Sequence, residues 1–202
     1  MEGLTFYWLT WSFWIIATFF MKKENKTRLK FSIWLLLFIC ASSWVIPIFG
    51  YEVSGAGIFL SCSLFYAAAR MERLKMLYSL LCSFIIMLAY VCFYLFELFD
   101  PVWLIFPRNW MLAVIVVCIS FLLQRNSWGR IYILLLGSIQ GEFLYALILS
   151  KYSFPFLIAS FTFLDVIALA TLLVTIWNGI EYLATFYERH FNQLEREKQK
   201  LS

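Results

Sequence analysis

Seven apolar runs, each near the length of a membrane-spanning helix, follow one another along this chain of 202 residues. About 20 helical residues are needed to cross the hydrocarbon core of a bilayer. The runs occupy residues 4–21, 31–49, 53–69, 76–99, 109–123, 131–149 and 157–177. The segments between them are too short for a soluble domain. The sequence therefore predicts an all-α membrane protein, a polytopic bundle of about seven transmembrane helices.

The composition agrees with a membrane location and excludes a soluble fold. Hydrophobic residues make up 63% of the chain and charged residues 14%, against about 45–50% and 25% in soluble domains. A soluble protein of this size has too little interior to bury so much apolar surface. The net charge of +4 lies in short clusters between apolar runs and forms no continuous stripe. We therefore expect the lipid bilayer as the main partner, and no nucleic acid.

Lysine and arginine predict the orientation of the bundle. Of the 16 basic residues, 14 fall in the first, third and fifth loops and in the tail, whereas Arg108 and Lys151 lie on the other side. Basic loops stay in the cytoplasm. We therefore expect a multi-pass cell-membrane protein with its N-terminus outside and its C-terminus inside. Because positive charge follows the first apolar run instead of preceding it, this run is predicted to be a retained first span.

The last 24 residues differ in pattern from the rest. We divide the chain into a transmembrane domain, residues 1–178, and a cytoplasmic amphipathic helical tail, residues 179–202. Apolar residues recur in the tail at helical spacing, at Ile180, Leu183, Tyr187, Phe191 and Leu194. The tail is either a helix for a protein partner or self-association, or a helix that lies on lipid or in water.

Two carboxylates, Glu142 and Asp165, lie well inside the sixth and seventh runs. A charge at the bilayer centre costs about 2.5–3.5 kcal/mol on insertion scales. At 1.5 Å per residue both lie about 11–12 Å below the outer edge. If they face each other, they would share a proton and form a proton or cation site of a small carrier, or a proton relay. Alternatively, the protonated groups hydrogen-bond to neighbours and hold helices together.

The sequence around Glu142, GSIQGEFLY, contains further candidates for a buried polar or ion site. Gln140 precedes Glu142, and Tyr145 follows it by about one helical turn, from where its hydroxyl is a candidate donor. Gly137 and Gly141 form a GxxxG spacing that allows two helices to approach closely. We therefore predict that the sixth helix is the core of the bundle.

No catalytic centre is expected. The single histidine, His190, lies in the tail, which leaves no HExxH zinc motif and no Ser–His dyad within the membrane. The sequence also lacks a Gly-rich phosphate loop and a nucleophile-elbow motif. We expect a non-enzymatic protein without a metal ion or another cofactor.

The N-terminal segment MEGLTFYWLTWSFWIIATFFMKK, the basic first loop and the charged tail resemble the YphA family of small membrane proteins from Bacillus-type bacteria. This resemblance implies a location in the bacterial plasma membrane and supplies no site residues. Two functional hypotheses follow from the sequence. The favoured one is a non-enzymatic protein that acts through membrane or cytoplasmic partners. The alternative is a small proton- or cation-coupled transporter that uses Glu142 and Asp165.

Overall fold

The computed structural model describes residues 2–21, 26–48, 50–152 and 154–201, with side chains described from residue 27 in the second helix and as far as Glu188 in the last. Within these residues, seven α-helices follow one another and consecutive helices are antiparallel. They are α1 Leu4–Ile15, α2 Lys26–Ser42, α3 Gly55–Ala69, α4 Arg73–Phe99, α5 Arg108–Leu123, α6 Ser127–Ser150 and α7 Phe161–Leu201. A π-helical turn, Ile16–Phe20, continues α1.

Three segments are long and apolar enough to span a bilayer by length and composition: Arg73–Phe99, Ser127–Ser150 and Phe161–Glu188. Three other apolar helices are shorter, at Leu4–Phe20, Gly55–Ala69 and Arg108–Leu123. The bundle thus contains several candidate spans. That all seven helices cross, and in which orientation, stays a prediction.

The all-α prediction is wrong in one place, because a three-stranded sheet closes one end of the bundle. Strand β1, Val45–Ile48, pairs antiparallel with β2, Tyr51–Ser54, which pairs parallel with β3, Leu157–Ile158. The sequence predicted helix for the apolar runs 31–49 and 53–69, whose ends overlap strands β1 and β2. Proline lacks an N–H and is tolerated in edge strands, and Pro47 lies in the edge strand β1. Gly50, with φ of 84°, lies in the tight turn that follows.

The two ends of the bundle have different chemistry. We call the end that carries the sheet the sheet end. We call the opposite end, where α2, α4 and α6 begin, the basic end, because the loops rich in lysine and arginine lie there. Helix α6 occupies the centre and contacts α3, α4, α5 and α7, whereas α1 packs mainly on α7 and α2.

Helix α7 passes through the predicted boundary at residues 178–179 without a break. Nothing lies within 4 Å of a side chain built at Gly179, and apolar side chains such as Ile180, Leu183 and Phe186 are exposed. The side chains of His190, Phe191, Leu194 and the other residues of the distal tail lie outside the described residues. The division into two domains, and the role of the tail, therefore stay predictions.

Candidate functional site

Two of the glycines of α6, Gly137 and Gly141, lie in close contact with α4. A Cβ at Gly137 would come within 2.6 Å of the Ile86 Cβ and 2.8 Å of the Ser83 carbonyl oxygen, and one at Gly141 would lie 2.7 Å from the Tyr90 ring. The steps from 86 to 90 and from 137 to 141 match, so the two helices are parallel and in register. The small residues thus allow the backbones to approach closely.

Glu142 is almost completely buried in this interface, with 1% of its surface exposed. The hydroxyl of Tyr90 donates a 2.5 Å hydrogen bond to Glu142 Oε2. The backbone N–H of Ala159, just before α7, also approaches the carboxyl group. Ala159 has a positive φ of 56°, a conformation that costs a non-glycine residue energy and is found mostly at constrained positions. Three segments of the chain therefore meet at this one carboxyl group.

The other polar candidates of α6 have different partners. Ser83 donates to Gln140 Oε1 at 3.2 Å, which links α4 to α6 without involving Glu142. Tyr145 packs its ring 4.9 Å from that of Tyr94 and is not the hydroxyl that bonds to Glu142 in the described residues. The hydroxyl that donates to the Glu142 carboxyl group belongs to Tyr90, which lies on α4.

An aromatic and charged cluster extends from Glu142 towards the sheet end. The rings of Tyr90 and Tyr94 are 5.0 Å apart and tilted by 45° to each other. The guanidinium of Arg108 lies 5.9 Å from the centre of the Tyr94 ring and forms a 3.4 Å ion pair with Glu97. The half-buried Arg108 therefore pairs with Glu97 at the surface of the bundle.

Asp165 has a well-defined structural partner, the N-terminus of α1. Its Oδ2 accepts a 2.9 Å hydrogen bond from the N–H of Gly3, and its Oδ1 accepts a 2.7 Å bond from the N–H of Phe6. The first N–H groups of a helix have no partner within the helix, and negative charge is favoured there. Gly3 has φ of 83°, and a side chain at this position would collide with Phe161 at 2.8 Å. Asp165 thus caps α1 from another helix.

The two buried carboxylates therefore have separate partners. Glu142 bonds to Tyr90, and Asp165 bonds to the backbone of α1. In the part of the chain that the structure describes, no hydrogen bond joins one carboxylate to the other. Each acid stabilises a different contact between helices.

At the basic end, Arg130 joins three helices although its counterparts in the loops are exposed. Its side chain is only 7% exposed and forms a 2.7 Å ion pair with Glu181 of α7. It also donates to Asn178 Oδ1 at 3.0 Å and to the carbonyl of Gln124 at 2.9 Å. The guanidinium lies 4.9 Å from the Phe121 ring centre. Arg130 therefore ties the end of α5 and the middle of α7 to the start of α6.

A cavity of about 680 Å³ lies between α1, α2, α6 and α7. Its walls are almost wholly apolar and include Phe13, Ala17, Trp34, Leu135 and Ala168. This volume falls within the range of about 300–1,000 Å³ that is typical of small-molecule sites. Neither Glu142 nor Asp165 lines it.

The cavity is lined by aromatic rings on the side towards the sheet end and extends towards the basic end. Aromatic rings form its floor: Phe38 packs 5.3 Å from Phe6 and 5.2 Å from Trp34. At the other end it is lined by Met21 and by Trp128, which is 81% exposed. The cavity therefore extends to the part of the bundle where α2 begins, next to Arg28 and Lys30.

Comparison with known proteins assigns the family. The model of the YphA-like integral membrane protein family matches residues 2–200. The chain belongs to this family. It is also 28% identical over 188 residues to the uncharacterized protein YphA of Bacillus subtilis (strain 168), a match that covers 92% of each chain. No solved structure matches the chain.

In this YphA-like protein, sequence reasoning missed two of the residues that organise the buried polar groups. Tyr90 is one of several tyrosines in an apolar helix, and nothing in its spacing marks it as a partner of Glu142. Arg130 was counted only as a loop charge. One signal was available for Asp165: the N-cap residue of α1 is Gly3, which has no side chain to accept from the first N–H groups, so an acceptor from elsewhere was needed.

Proposed function

We propose that this protein is a non-enzymatic lipid-binding membrane protein, and that the cavity between α1, α2, α6 and α7 holds an acyl chain of an anionic phospholipid. The observation that carries this proposal is the cavity itself, about 680 Å³ in volume with an apolar lining. In a membrane, such a cavity is surrounded by the hydrocarbon chains of lipids. An acyl chain that enters it replaces lipid contacts with contacts to aromatic and aliphatic side chains.

The charge of the first loop supports an anionic headgroup. Five basic residues lie between positions 22 and 30, and clusters of four to eight next to a transmembrane helix typically bind anionic lipids at about 1 kcal/mol per residue. Arg28 and Lys30 belong to α2, which lines the cavity, and Lys30 is exposed. With the predicted orientation, the lipid would come from the cytoplasmic leaflet.

The geometry of α1 is consistent with a ligand-binding wall. The π-helical turn Ile16–Phe20 contributes Ile16 and Ala17 to the cavity, and single π turns are frequent at functional sites. Asp165 fixes the other end of the same helix to α7. Helix α1 is thus anchored at the sheet end and diverges from α7 next to the cavity.

Lipid co-purification tests this proposal. The protein is purified in a mild detergent from membranes of known composition, and bound phospholipid is quantified by mass spectrometry. We expect about one anionic phospholipid per chain. Ala168→Trp fills the cavity and should remove most of this lipid, whereas the control Ala69→Trp, at an exposed alanine of α3, should retain it.

Two results would contradict the proposal. One is equal lipid retention by Ala168→Trp and the parent protein, provided both show the same melting temperature. The other is retention of neutral phospholipid in equal proportion to anionic phospholipid, since the basic loop would then play no part.

The transporter alternative remains a separate proposal. Its support is the burial of Glu142 and Asp165, and its weakness is that both carboxyl groups already have protein partners. Uptake of protons into proteoliposomes would favour it if Asp165→Asn abolished the flux. A protein partner for the α7 tail is likewise a proposal, which pull-down with residues 179–202 deleted would test.

A further inference from the structure

We propose that Glu142 is a proton-exchange site that is reached from the sheet end through the hydroxyls of Tyr94 and Tyr90, with Glu97 and Arg108 at the entrance. This site is independent of the lipid cavity, which neither Glu142 nor Tyr90 lines. The path is a row of polar side chains that leads from Glu142 to the sheet end, with direct contacts at its two ends, Tyr90 to Glu142 and Glu97 to Arg108.

The inner half of the path is defined by direct contacts. The Tyr90 hydroxyl donates to Glu142 Oε2 at 2.5 Å, and Tyr90 has 0% of its surface exposed. Tyr94 lies one helical turn further towards the sheet end, with its ring 5.0 Å from that of Tyr90. It is thus the next hydroxyl-bearing side chain of α4 on the way from Glu142 to the sheet end.

The outer half of the path runs from Tyr94, whose ring centre lies 5.9 Å from the Arg108 guanidinium, to Glu97 near the surface. Glu97, one further turn along α4, pairs with Arg108 at 3.4 Å through Oε1. Its second oxygen, Oε2, is buried and has no hydrogen-bond partner among the described residues. A buried carboxylate oxygen without a partner calls for an explanation, and a role as the first proton acceptor supplies one.

The polar groups between Glu142 and the sheet end come from four parts of the chain. Helix α4 supplies Tyr90, Tyr94 and Glu97, and α5 supplies Arg108. Helix α6 supplies Tyr145, and the segment before α7 supplies the N–H of Ala159. Asp165 of α7 is bonded to the N-terminus of α1. The charged groups of this set, Glu97 and Arg108, are at the sheet end, so exchange from that side is the shorter route.

The transfer conserves protons and charge. A proton from solvent binds to Glu97 and passes to the Tyr94 oxygen, while Tyr94 releases its own proton to Tyr90. Tyr90 in turn releases its proton to the Glu142 carboxylate, which becomes neutral. Each tyrosine loses one O–H bond and gains one. The net change is one proton moved from the surface to Glu142.

Infrared spectroscopy of the full-length protein in proteoliposomes tests this path. The carbonyl stretch of protonated Glu142 is identified as the band lost in Glu142→Gln, and its shift after a change from H₂O to D₂O buffer gives the exchange rate. We expect Tyr94→Phe to slow this exchange about tenfold or more, because it removes one link of the proton chain. The matched control is Tyr132→Phe. The Tyr132 hydroxyl donates to the Leu64 carbonyl between α6 and α3 and is not part of the path, so Glu142 in this variant should exchange its proton at the parent rate.

A variant at Glu97 tests the entrance of the path. Glu97→Gln removes the outer acceptor and should also slow exchange, whereas Arg125→Gln at the exposed basic end should not. The proposal is overturned if no Glu142-dependent band appears at any accessible pH, or if Tyr94→Phe exchanges as fast as Tyr132→Phe. Because the readout is the exchange of one carboxyl group, loss of lipid binding would leave this result unaffected.

Discussion

Helix α6 forms two interfaces of opposite character. Towards α4, glycines at 137 and 141 bring the backbones so close that a single added carbon would lie 2.6–2.8 Å from its neighbours. Towards α1 and α2, Ile131 and Leu135 of α6 border a cavity of about 680 Å³, whose other walls include the small residues Ala17 of the π turn and Ala168 of α7. Small residues therefore produce close packing only where the facing helix supplies a side chain that fills the space, as Ile86 and Tyr90 do.

The polar contacts between helices also differ between these two sides of the bundle. Arg130 ties α5, α6 and α7 at the basic end through an ion pair and two further hydrogen bonds. At that end, α1 and α2 are joined by a 3.3 Å bond between Thr18 and Ser32 and a 3.4 Å bond from Arg28 to the Thr18 carbonyl. The side of the bundle that contains the cavity is thus held firmly at the sheet end, by Asp165, and more weakly at the basic end.

The largest effect is expected from a larger side chain in the close interface. Gly137→Leu would place carbon atoms against Ile86 and the Ser83 carbonyl, and because backbone cannot move aside cheaply, the free energy of unfolding should fall by about 3 kcal/mol or more. Denaturation by SDS from mild detergent measures this. As a control, Gly179→Ala has open space and should raise stability by about 0.5–1 kcal/mol. Equal effects of the two changes would refute the close approach of α4 and α6.

The next largest effect is expected at the cap of α1. Asp165→Ala leaves the N–H groups of Gly3 and Phe6 without acceptors, at about 1–3 kcal/mol for each buried group. Denaturation by SDS measures this loss. A separate hydrogen-exchange experiment should show faster exchange of the backbone N–H groups at the start of α1. Asp100→Ala is the matched control, since Asp100 caps an exposed turn by accepting from Val102; this change should cost less than about 0.5 kcal/mol. Identical losses would mean that Asp165 is not a cap.

A smaller loss is expected at the basic end. Arg130→Gln removes the ion pair with Glu181 and should lower the free energy of unfolding by about 1.5–3 kcal/mol, the range for hydrogen bonds to charged groups. Glu181 is 44% exposed, which places the expected loss near the lower limit. Thermal melting compares this variant with Arg125→Gln, an exposed arginine of the same loop, for which no measurable change is expected. A melting temperature unchanged by Arg130→Gln would contradict the three-helix contact.

The smallest effect is expected in the cavity. Ala168→Leu adds carbon atoms to a site where α6 and α7 leave space, so stability should stay the same or rise by about 1 kcal/mol. The contrast in sign with Gly137→Leu is the sharpest test of the comparison. If Ala168→Leu destabilised the protein as strongly as Gly137→Leu, there would be no free space beside Ala168, and the cavity would be refuted.

Prediction from the sequence was accurate for the helices and less so for their ends. Helices α4, α5 and α6 begin within four residues of the predicted runs, because apolar stretches bounded by charge or proline leave little choice. The run 31–49 was wrong at its end, since counting apolar residues does not distinguish a strand from a helix where β-branched residues flank Pro47. Gly137 and Gly141 lie in close contact with α4, and which residues of α4 they meet was not predictable from the sequence.

The sequence alone determined that this chain is an integral membrane protein and that two acids, Glu142 and Asp165, lie in apolar surroundings, because hydropathy and charge are properties of each segment by itself. Tertiary structure alone decided their partners, the Tyr90 hydroxyl for one and the N-terminus of α1 for the other. The rotation of each helix about its axis sets these contacts, and that rotation depends on how all seven helices pack together. The same packing left the cavity between α1, α2, α6 and α7, which no local pattern records.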